Sequence, residues 1–410
     1  MTTAKSNIFQ VSLSRSGRIS KKQRTPIQKV GQWQVKQYFE DNDYPGLLID
    51  LYAASPTHGG IIDKKVMYTR GSKLKAVAKD PSQQAEVDNY SSGVGNDLGI
   101  HECFTRLAMD RYLYGGYALL VYTDSTGQLA GFKHVDFSLL RRASYDNEAK
   151  ETVHGYVYSP DWRDEALTKK EAVWIAPFDP DGQYEPEAKY LVYRMRYAPG
   201  KHYYPTPDYH SAILSIETEA ELINFKHKST INSFNPGGFL TIVGRMDEAE
   251  RERTRKSFEE FQNGTDNTGK LFVQIVDNES EGVQFVPFTN SPADKNVSAY
   301  QDQARQEIVS AHQLPSLTLI GLPGGPSLSG DASTISTSMS TFFETVIKPV
   351  RGELLDDLVW LYSLLGWDVT FSVDELVITE TGQVDTATIN QDGGTNKEQI
   401  NQLAIQQWQQ

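Results

Sequence analysis

The chain has a single cysteine, Cys103, so it can close no intrachain disulfide and build no cysteine-based zinc site. Long apolar runs are missing too. Stretches such as Tyr117–Tyr122 are far shorter than the ~20 residues a membrane-spanning helix needs. The first residues are basic without the apolar stretch of a signal peptide, so the expectation is a protein of the cytosol. No two histidines have His-Glu-x-x-His spacing. His202 and His210 flank Asp208, but Pro205 and Pro207 lie between them and argue for a loop with ordinary histidines. The Gly/Pro-rich stretch Gly321–Gly330 lacks the Lys-Ser/Thr of a P-loop and follows helical sequence, which disfavours nucleotide binding. No Gly-x-Ser-x-Gly elbow is present. Carboxylates cluster at Asp161, Asp164 and Glu165 and at Asp356 and Asp357, as neighbours in sequence often do. No catalytic residue, metal site or cofactor is therefore expected.

What is present begins with charge. Residues 1–30 carry seven basic side chains (Lys5, Arg15, Arg18, Lys21, Lys22, Arg24, Lys29) and no acidic one. Subtracting these seven from the net −13 leaves −20 for residues 31–410. The arm can solvate freely or dock on an acidic surface. So acidic a body is ill suited to gripping DNA through its phosphates.

Along the chain, Ile61–Tyr68 reads as a short helix and Leu74–Ala78 as a strand. In Cys103–Tyr114 the apolar residues Phe104, Leu107, Ala108 and Tyr112 fall at helical intervals, and Gly115-Gly116 stops the helix. Tyr117–Tyr122 reads as a buried strand. Leu129–Val135, Val153–Tyr158, Glu171–Ile175 and Tyr190–Tyr197 read as further strands between Pro-, Asp- and Gly-rich turns. After Pro207 the pattern changes. Ile213, Ile216, Ala220, Ile223 and Ile231 mark a long amphipathic helix over 208–232, with Asp208 as a plausible cap and Asn235-Pro236-Gly237-Gly238 as its stop.

A strand (Phe239–Val243), a charged helix (Asp247–Gln262) and two strands (Lys270–Asp277, Val283–Thr289) then make a small self-contained unit. Basic and acidic residues interleave on the charged helix, the mark of a solvated, salt-bridged face. A second long helix, Pro292–His312, carries only a thin stripe of Val297, Tyr300, Ala304, Ile308 and Ala311, and so wants a neighbouring helix or subunit. A third, Ala332–Leu365, holds Pro349 in its middle and is expected to kink there. The polar tail from Thr379 is expected to be mobile, with at most a short helix near Ile400–Trp408.

In this order the parts resemble the portal proteins of tailed phages. The resemblance rests on Asp110–Gly131 (helix, glycines, strand, turn) and on Tyr204–Leu240 with its Asn-Ser-Phe-Asn-Pro-Gly-Gly-Phe-Leu exit. It also rests on Ala304–Gly321, a helix running into Pro-x-x-Leu-x-Gly-like sequence, and on Phe342–Leu358 with Lys348-Pro349. The resemblance implies an α+β portal-like fold with a mixed α/β wing, long stem helices, a small α/β clip and a kinked C-terminal helix. In that layout 1–30 is a flexible arm, 31–207 the wing and 208–232 the first stem helix. Residues 233–290 are then the clip, 291–314 the second stem helix and 315–333 the tunnel loop. The kinked wing helix is 334–365, and 366–410 is a short crown or mobile tail.

The resemblance further implies a homo-oligomeric ring, commonly of twelve, at one capsid vertex of the virion, assembled in the host cytoplasm. It would contact the major capsid or scaffold protein, the terminase large subunit and then a head–tail adaptor, while double-stranded DNA passes nonspecifically and no membrane is involved. The DNA-facing tunnel loop would comprise Leu322, Pro323, Gly324, Gly325, Pro326, Ser327, Leu328, Ser329 and Gly330. Partner docking would fall on Arg251, Arg255, Glu259, Asp277, Asn278 and Glu279 of the clip. A loop without Lys or Arg can touch a moving duplex without holding it, and thin-striped helices find neighbours in a closed ring. The rival readings are another head–tail adaptor or tail component, and a metal-dependent hydrolase built on His154, Asp161 and Asp164.

Overall fold

The computed structural model describes residues 27–39, 42–97, 99–145, 153–231, 238–243, 253, 272–276, 284–287, 293–317, 332–378 and 384–386. The order of elements begins with β1 (Ile27–Val30), β2 (Trp33–Lys36), α1 (Tyr44–Ala54), α2 (Pro56–Arg70), β3 (Lys73–Ala78), α3 (Gln84–Asp97) and α4 (Gly99–Tyr114). It continues with β4 (Gly116–Thr123), β5 (Leu129–Val135), β6 (Leu140–Tyr145), β7 (Gly155–Tyr158), α5 (Glu165–Glu171), β8 (Val173–Pro177) and β9 (Lys189–Met195). Then come α6 (Ile213–Ile231), β10 (Gly238–Val243), β11 (Phe272–Val276), β12 (Gln284–Pro287), α7 (Ala293–Ala311) and α8 (Ala332–Phe342). A π-turn (Phe343–Ile347), α9 (Lys348–Leu364), β13 (Val369–Asp374), β14 (Leu376–Ile378) and β15 (Val384–Thr386) complete it.

Eight strands form one sheet in the order β1-β2-β6-β7-β8-β9-β4-β5. Every pairing is antiparallel except β8–β9, which is parallel. The fold is thus α+β with a mostly antiparallel sheet. β4 is its centre of burial: Tyr117, Ala118, Leu119, Leu120 and Val121 are all buried. A strand buried on both faces reads as a continuous apolar run, as this one does. α4 lies on β4 and is packed in turn by α2 and α9, which buries Phe104, Leu107, Ala108, Leu354 and Leu358 in one core. Each phenylalanine or leucine among them contributes about 1.5–3 kcal/mol on burial. Two glycines make these approaches possible. Gly115 ends α4 at φ +81°, and a Cβ there would lie 2.6 Å from Thr206 O. Gly155 lets the Trp174 ring lie on β7, where a Cβ would meet it at 2.3 Å.

β3 pairs on one side with β13 alone, over Lys73–Asp374 to Ala78–Val369. Its other edge is satisfied by side chains. Leu74 N–H donates to His101 Nδ1 (3.1 Å), Ala78 N–H to Gln84 Oε1 (2.9 Å), and Gln84 Nε2 donates to Ala76 O (3.1 Å). Such capping removes an open strand edge that could recruit another chain.

The structure corrects several expectations. The arm is not free as far as residue 30, because Ile27–Val30 is an edge strand paired with β2. The crown or mobile tail does not begin at 366, because Val369–Asp374 is built into the body against β3. Asp208 is not the cap of the long helix. It accepts ion pairs from Arg196 (2.8 Å) and Arg111 (3.8 Å), while a short 3-10 turn, His210–Ala212, leads into α6. Glu171 closes α5 and does not open a strand. α3 has no strong periodic pattern, yet it forms where Val87 is buried and Tyr90 packs edge-on to Tyr362 (5.4 Å).

Candidate assembly site: the long-helix pair and its seat

α6 and α7 pack along each other. α7's buried stripe is Gln301, Ala304 and Ile308, and α6 contributes Ile213, Ile216 and Glu219. Glu219 has no solvent exposure and is held from three directions. Ser55 Oγ donates to Oε2 (2.5 Å), Thr57 Oγ1 to Oε1 (2.6 Å) and Arg305 Nε to Oε1 (3.1 Å). One carboxylate therefore joins α6, α7 and the first turn of α2. Ser55 can serve because it sits at the α1–α2 corner, where its Oγ also accepts from His58 N–H as the N-cap of α2. Lys226 Nζ donates to Gln301 Oε1 and ties the pair again about two turns along α6.

Beneath this contact the seat is polar and buried. His58 of α2 meets His312, the residue after α7, and Tyr209 packs on both rings. Burial, helped by Lys65, pulls His58 down to about 3 and puts His312 well below the ordinary histidine value. Lys65 is pulled down to about 8 by its own burial; Asp208 opposes the shift and Arg111 adds to it. Its Nζ lies 5.5 Å from the Tyr112 ring centroid. Arg111 in turn pairs with Glu353 of α9 at 3.0 Å.

The helical rod 332–364 is interrupted by the π-turn Phe343–Ile347, where Lys348 N–H donates to Phe343 O, five residues back. The interruption ends at Ile347, two residues before Pro349, and contains Thr345, whose carbonyl lies four residues before the proline. A proline there offers no donor to the carbonyl four residues earlier and crowds it, and a wider turn relieves both problems. Arg351, one turn on, caps α2. Its Nε and Nη2 donate to Thr69 O and Tyr68 O, and the guanidinium pairs with Glu375 and lies 4.9 Å from the Phe343 ring.

Between the long helices, β10 pairs in parallel with β11 and antiparallel with β12. A parallel pair needs a crossover of a dozen or more residues, which the intervening chain, 244–271, is long enough to supply. The expected docking residues Arg251, Arg255, Glu259, Asp277, Asn278 and Glu279 lie outside the described residues. So do the loop Leu322–Gly330, most of the charged helix and the terminal helix near Ile400–Trp408.

The hydrolase candidates are used locally: Asp164 caps α5 through Ala166 and Leu167 N–H, and Asp161 Oδ1 accepts from Arg163 N–H. No group of three or more potential metal ligands occurs among the described residues. Sequence reasoning missed Glu219, His58 and His312. Glu219 stands 162 residues from Thr57 and 86 from Arg305, and His58 stands 254 from His312; a glutamate or histidine in or beside an amphipathic helix carries no local mark of burial.

Both long helices also leave apolar side chains uncovered. Leu214 is 58 % exposed and Phe225 41 % on α6, and Tyr300 is 56 % exposed on α7. The family model described as phage portal protein matches residues 97–392. The chain belongs to the phage portal protein family. No curated protein matches it. Among solved structures, a chain of the virion of a native gene transfer agent particle is similar at 17 % identity and TM-score 0.52, over 81 % of this chain and 84 % of that one. A chain from the neck of the native gene transfer agent particle, computed with C12 symmetry, is similar at 16 % identity and TM-score 0.51 over the same shares. At these identities the likeness is one of fold. An HK97 family phage portal protein from Corynebacterium diphtheriae gives 12 % identity and TM-score 0.40, over 78 % of this chain and 93 % of that one.

Proposed function

We propose that this portal chain closes, with copies of itself, into a twelve-membered ring that forms the DNA channel at one capsid vertex. The ring would dock the packaging motor's terminase large subunit, and later a head–tail adaptor, for genome entry and ejection. The observation that carries the reading is the pair of long helices with uncovered Leu214, Phe225 and Tyr300. A heterologous contact repeated around a closed ring covers just such faces on every copy. The C12 neck is that of the similar gene transfer agent chain; twelve is carried over from it.

In this reading α6 and α7 are the stem and β10–β12 with 233–290 the clip, where Arg251, Arg255, Glu259, Asp277, Asn278 and Glu279 meet partners. Residues 27–207, closed by β13, form the wing that faces capsid or scaffold. Leu322–Gly330 touches the passing duplex. From Ile308 to Phe343 the chain has one charged side chain, Asp331, and no Lys or Arg. A segment without cations neutralises no phosphates and releases no counterions, so it does not hold DNA. Pro349 and the adjoining π-turn set the bend of the helix that follows the loop.

The test is light scattering with negative-stain imaging of the purified chain beside Leu214→Asp, Phe225→Asp and Tyr300→Asp. Rings with a central hole are expected from the parent. Each carboxylate is expected to weaken ring formation at least about tenfold, because it must be desolvated in an apolar contact. Rings that tolerate all three changes would remove these faces from the assembly.

A further inference from the structure

Two histidines that the assembly reading does not use meet inside the seat of the long helices. His58 Nδ1 lies 2.9 Å from His312 Nε2, and both side chains are buried. Tyr209 packs against both rings, with centroids at 4.3 and 4.9 Å, and is itself anchored by its hydroxyl donating to Leu113 O (2.7 Å). Among the described residues the outward nitrogens, His58 Nε2 and His312 Nδ1, have no hydrogen-bond partner.

At this separation the two facing nitrogens share one proton, so one neutral ring donates and the other accepts. A proton added to the donor ring lands on its outward nitrogen, which is buried and has no acceptor. A proton added to the accepting ring sets N–H against N–H and breaks the contact. The charged groups around the pair also oppose protonation. Lys65, on the same helix as His58, disfavours a cation on both rings, and His58 disfavours one on His312. Asp208, from the turn before α6, is shared with Arg196 and Arg111, and Arg111 of α4 is also shared with Glu353 of α9. Glu219 of α6 is taken by Ser55, Thr57 and Arg305. The C-terminal dipole of α7 favours a charged His312, an effect smaller than desolvating a buried cation.

We infer that the His58–His312 contact is a proton-sensitive latch: it fixes the end of α7 to the first turn of α2 while both rings are neutral, and acid opens it. The end it holds is a defined one. Gln313 follows at φ +56°, Leu314 N–H donates back to Val309 O (3.0 Å), and from there the chain runs on to the glycine–proline loop. Both rings favour the neutral form in the folded chain. The latch's contribution is therefore complete above about pH 6.5, the ordinary histidine value, and is lost as pH falls toward the folded values, about 3 for His58.

The experiment is mass spectrometry of the full-length protein across about pH 4–8, reading imidazole C2-hydrogen exchange and amide exchange together. Both rings are expected to bind their proton at least about tenfold more weakly than an ordinary histidine. Amide protection over 306–317 is expected to fall about tenfold more between about pH 7 and 5 than intrinsic exchange chemistry gives. The paired variant His58→Gln with His312→Gln can hydrogen-bond at any pH, so its protection should stay flat. Ordinary titration of either ring, or wild-type protection indifferent to pH, overturns the latch. If the paired variant does not fold, the wild-type data decide alone. The readout lies within one subunit, so its failure leaves ring assembly standing, and loss of rings leaves the latch standing.

Discussion

Arg141 is wholly buried, and among the described residues no carboxylate lies within ion-pair distance of it. Its charge is met by oxygen dipoles. Nε donates to Asn42 Oδ1 (2.6 Å), Nη2 to Asn42 O (2.8 Å), and Nη1 to Ser138 O (2.6 Å) and Leu140 O (2.9 Å). The guanidinium carbon lies 5.6 Å from the Tyr38 ring and 4.9 Å from that of Trp162. Asn42, at φ +59°, is held in the left-handed region by this contact and by Tyr38 N–H donating to the same Oδ1. A lysine has one ammonium and no planar fork. Arg141→Lys should therefore strand buried carbonyls at about 1–3 kcal/mol each. The expected outcome is a urea midpoint lowered by an amount equivalent to about 2–4 kcal/mol; an unchanged midpoint would show that water replaces the fork.

At the scale of elements, the joint between α4 and β4 is the most constrained. Gly115 N–H closes the helix on Arg111 O, and Gly115 O accepts from Arg196 N–H, so one residue ends a helix and leads straight into β4, the most buried strand of the sheet. Gly115→Ala adds about 1–2 kcal/mol of left-handed strain. It also puts a Cβ 2.6 Å from the backbone oxygen of Thr206, which cannot rotate away. The expectation is a loss of about 2–4 kcal/mol in thermal or denaturant unfolding. A loss under about 1 kcal/mol would mean that Thr206 and its loop give way readily. The long helices are constrained differently. Their contact has few apolar residues and takes its register from Glu219, Arg305 and the Lys226–Gln301 bond, groups that must meet specific partners where leucines would tolerate sliding.

Over the whole molecule, closure depends on the chain's return. β13 lies almost three hundred positions beyond β3 in sequence yet pairs with it along its full length, and Asp374 pairs with Lys75 at 3.1 Å. Trp367, just before β13, packs on Tyr90 at 4.8 Å. Removing residues 366–410 should expose β3 and its neighbours and give an aggregating chain. Removing only 387–410 should leave the body intact, as judged by soluble yield and thermal midpoint. Equal behaviour of the two truncations would show that the return strand contributes nothing to the fold.

The sequence by itself determined the local and repetitive features. β4 was legible because a strand buried on both faces must be apolar throughout. α4 was legible from helical spacing and its glycine stop, and the two long helices and the intervening strands from their periodicity and turns. The composition likewise carried the charge contrast between arm and body and the cation-free stretch around Leu322–Gly330. Only the tertiary structure decided which polar groups are buried and whom they meet. Glu219 reads like any solvent-facing glutamate until Ser55, Thr57 and Arg305 are brought to it, and His58 and His312 until α7 lies down on α2. α3 and β13 escaped for the same reason. A weakly patterned segment takes its conformation from the surface it covers, and that surface exists only once distant parts of the chain have packed.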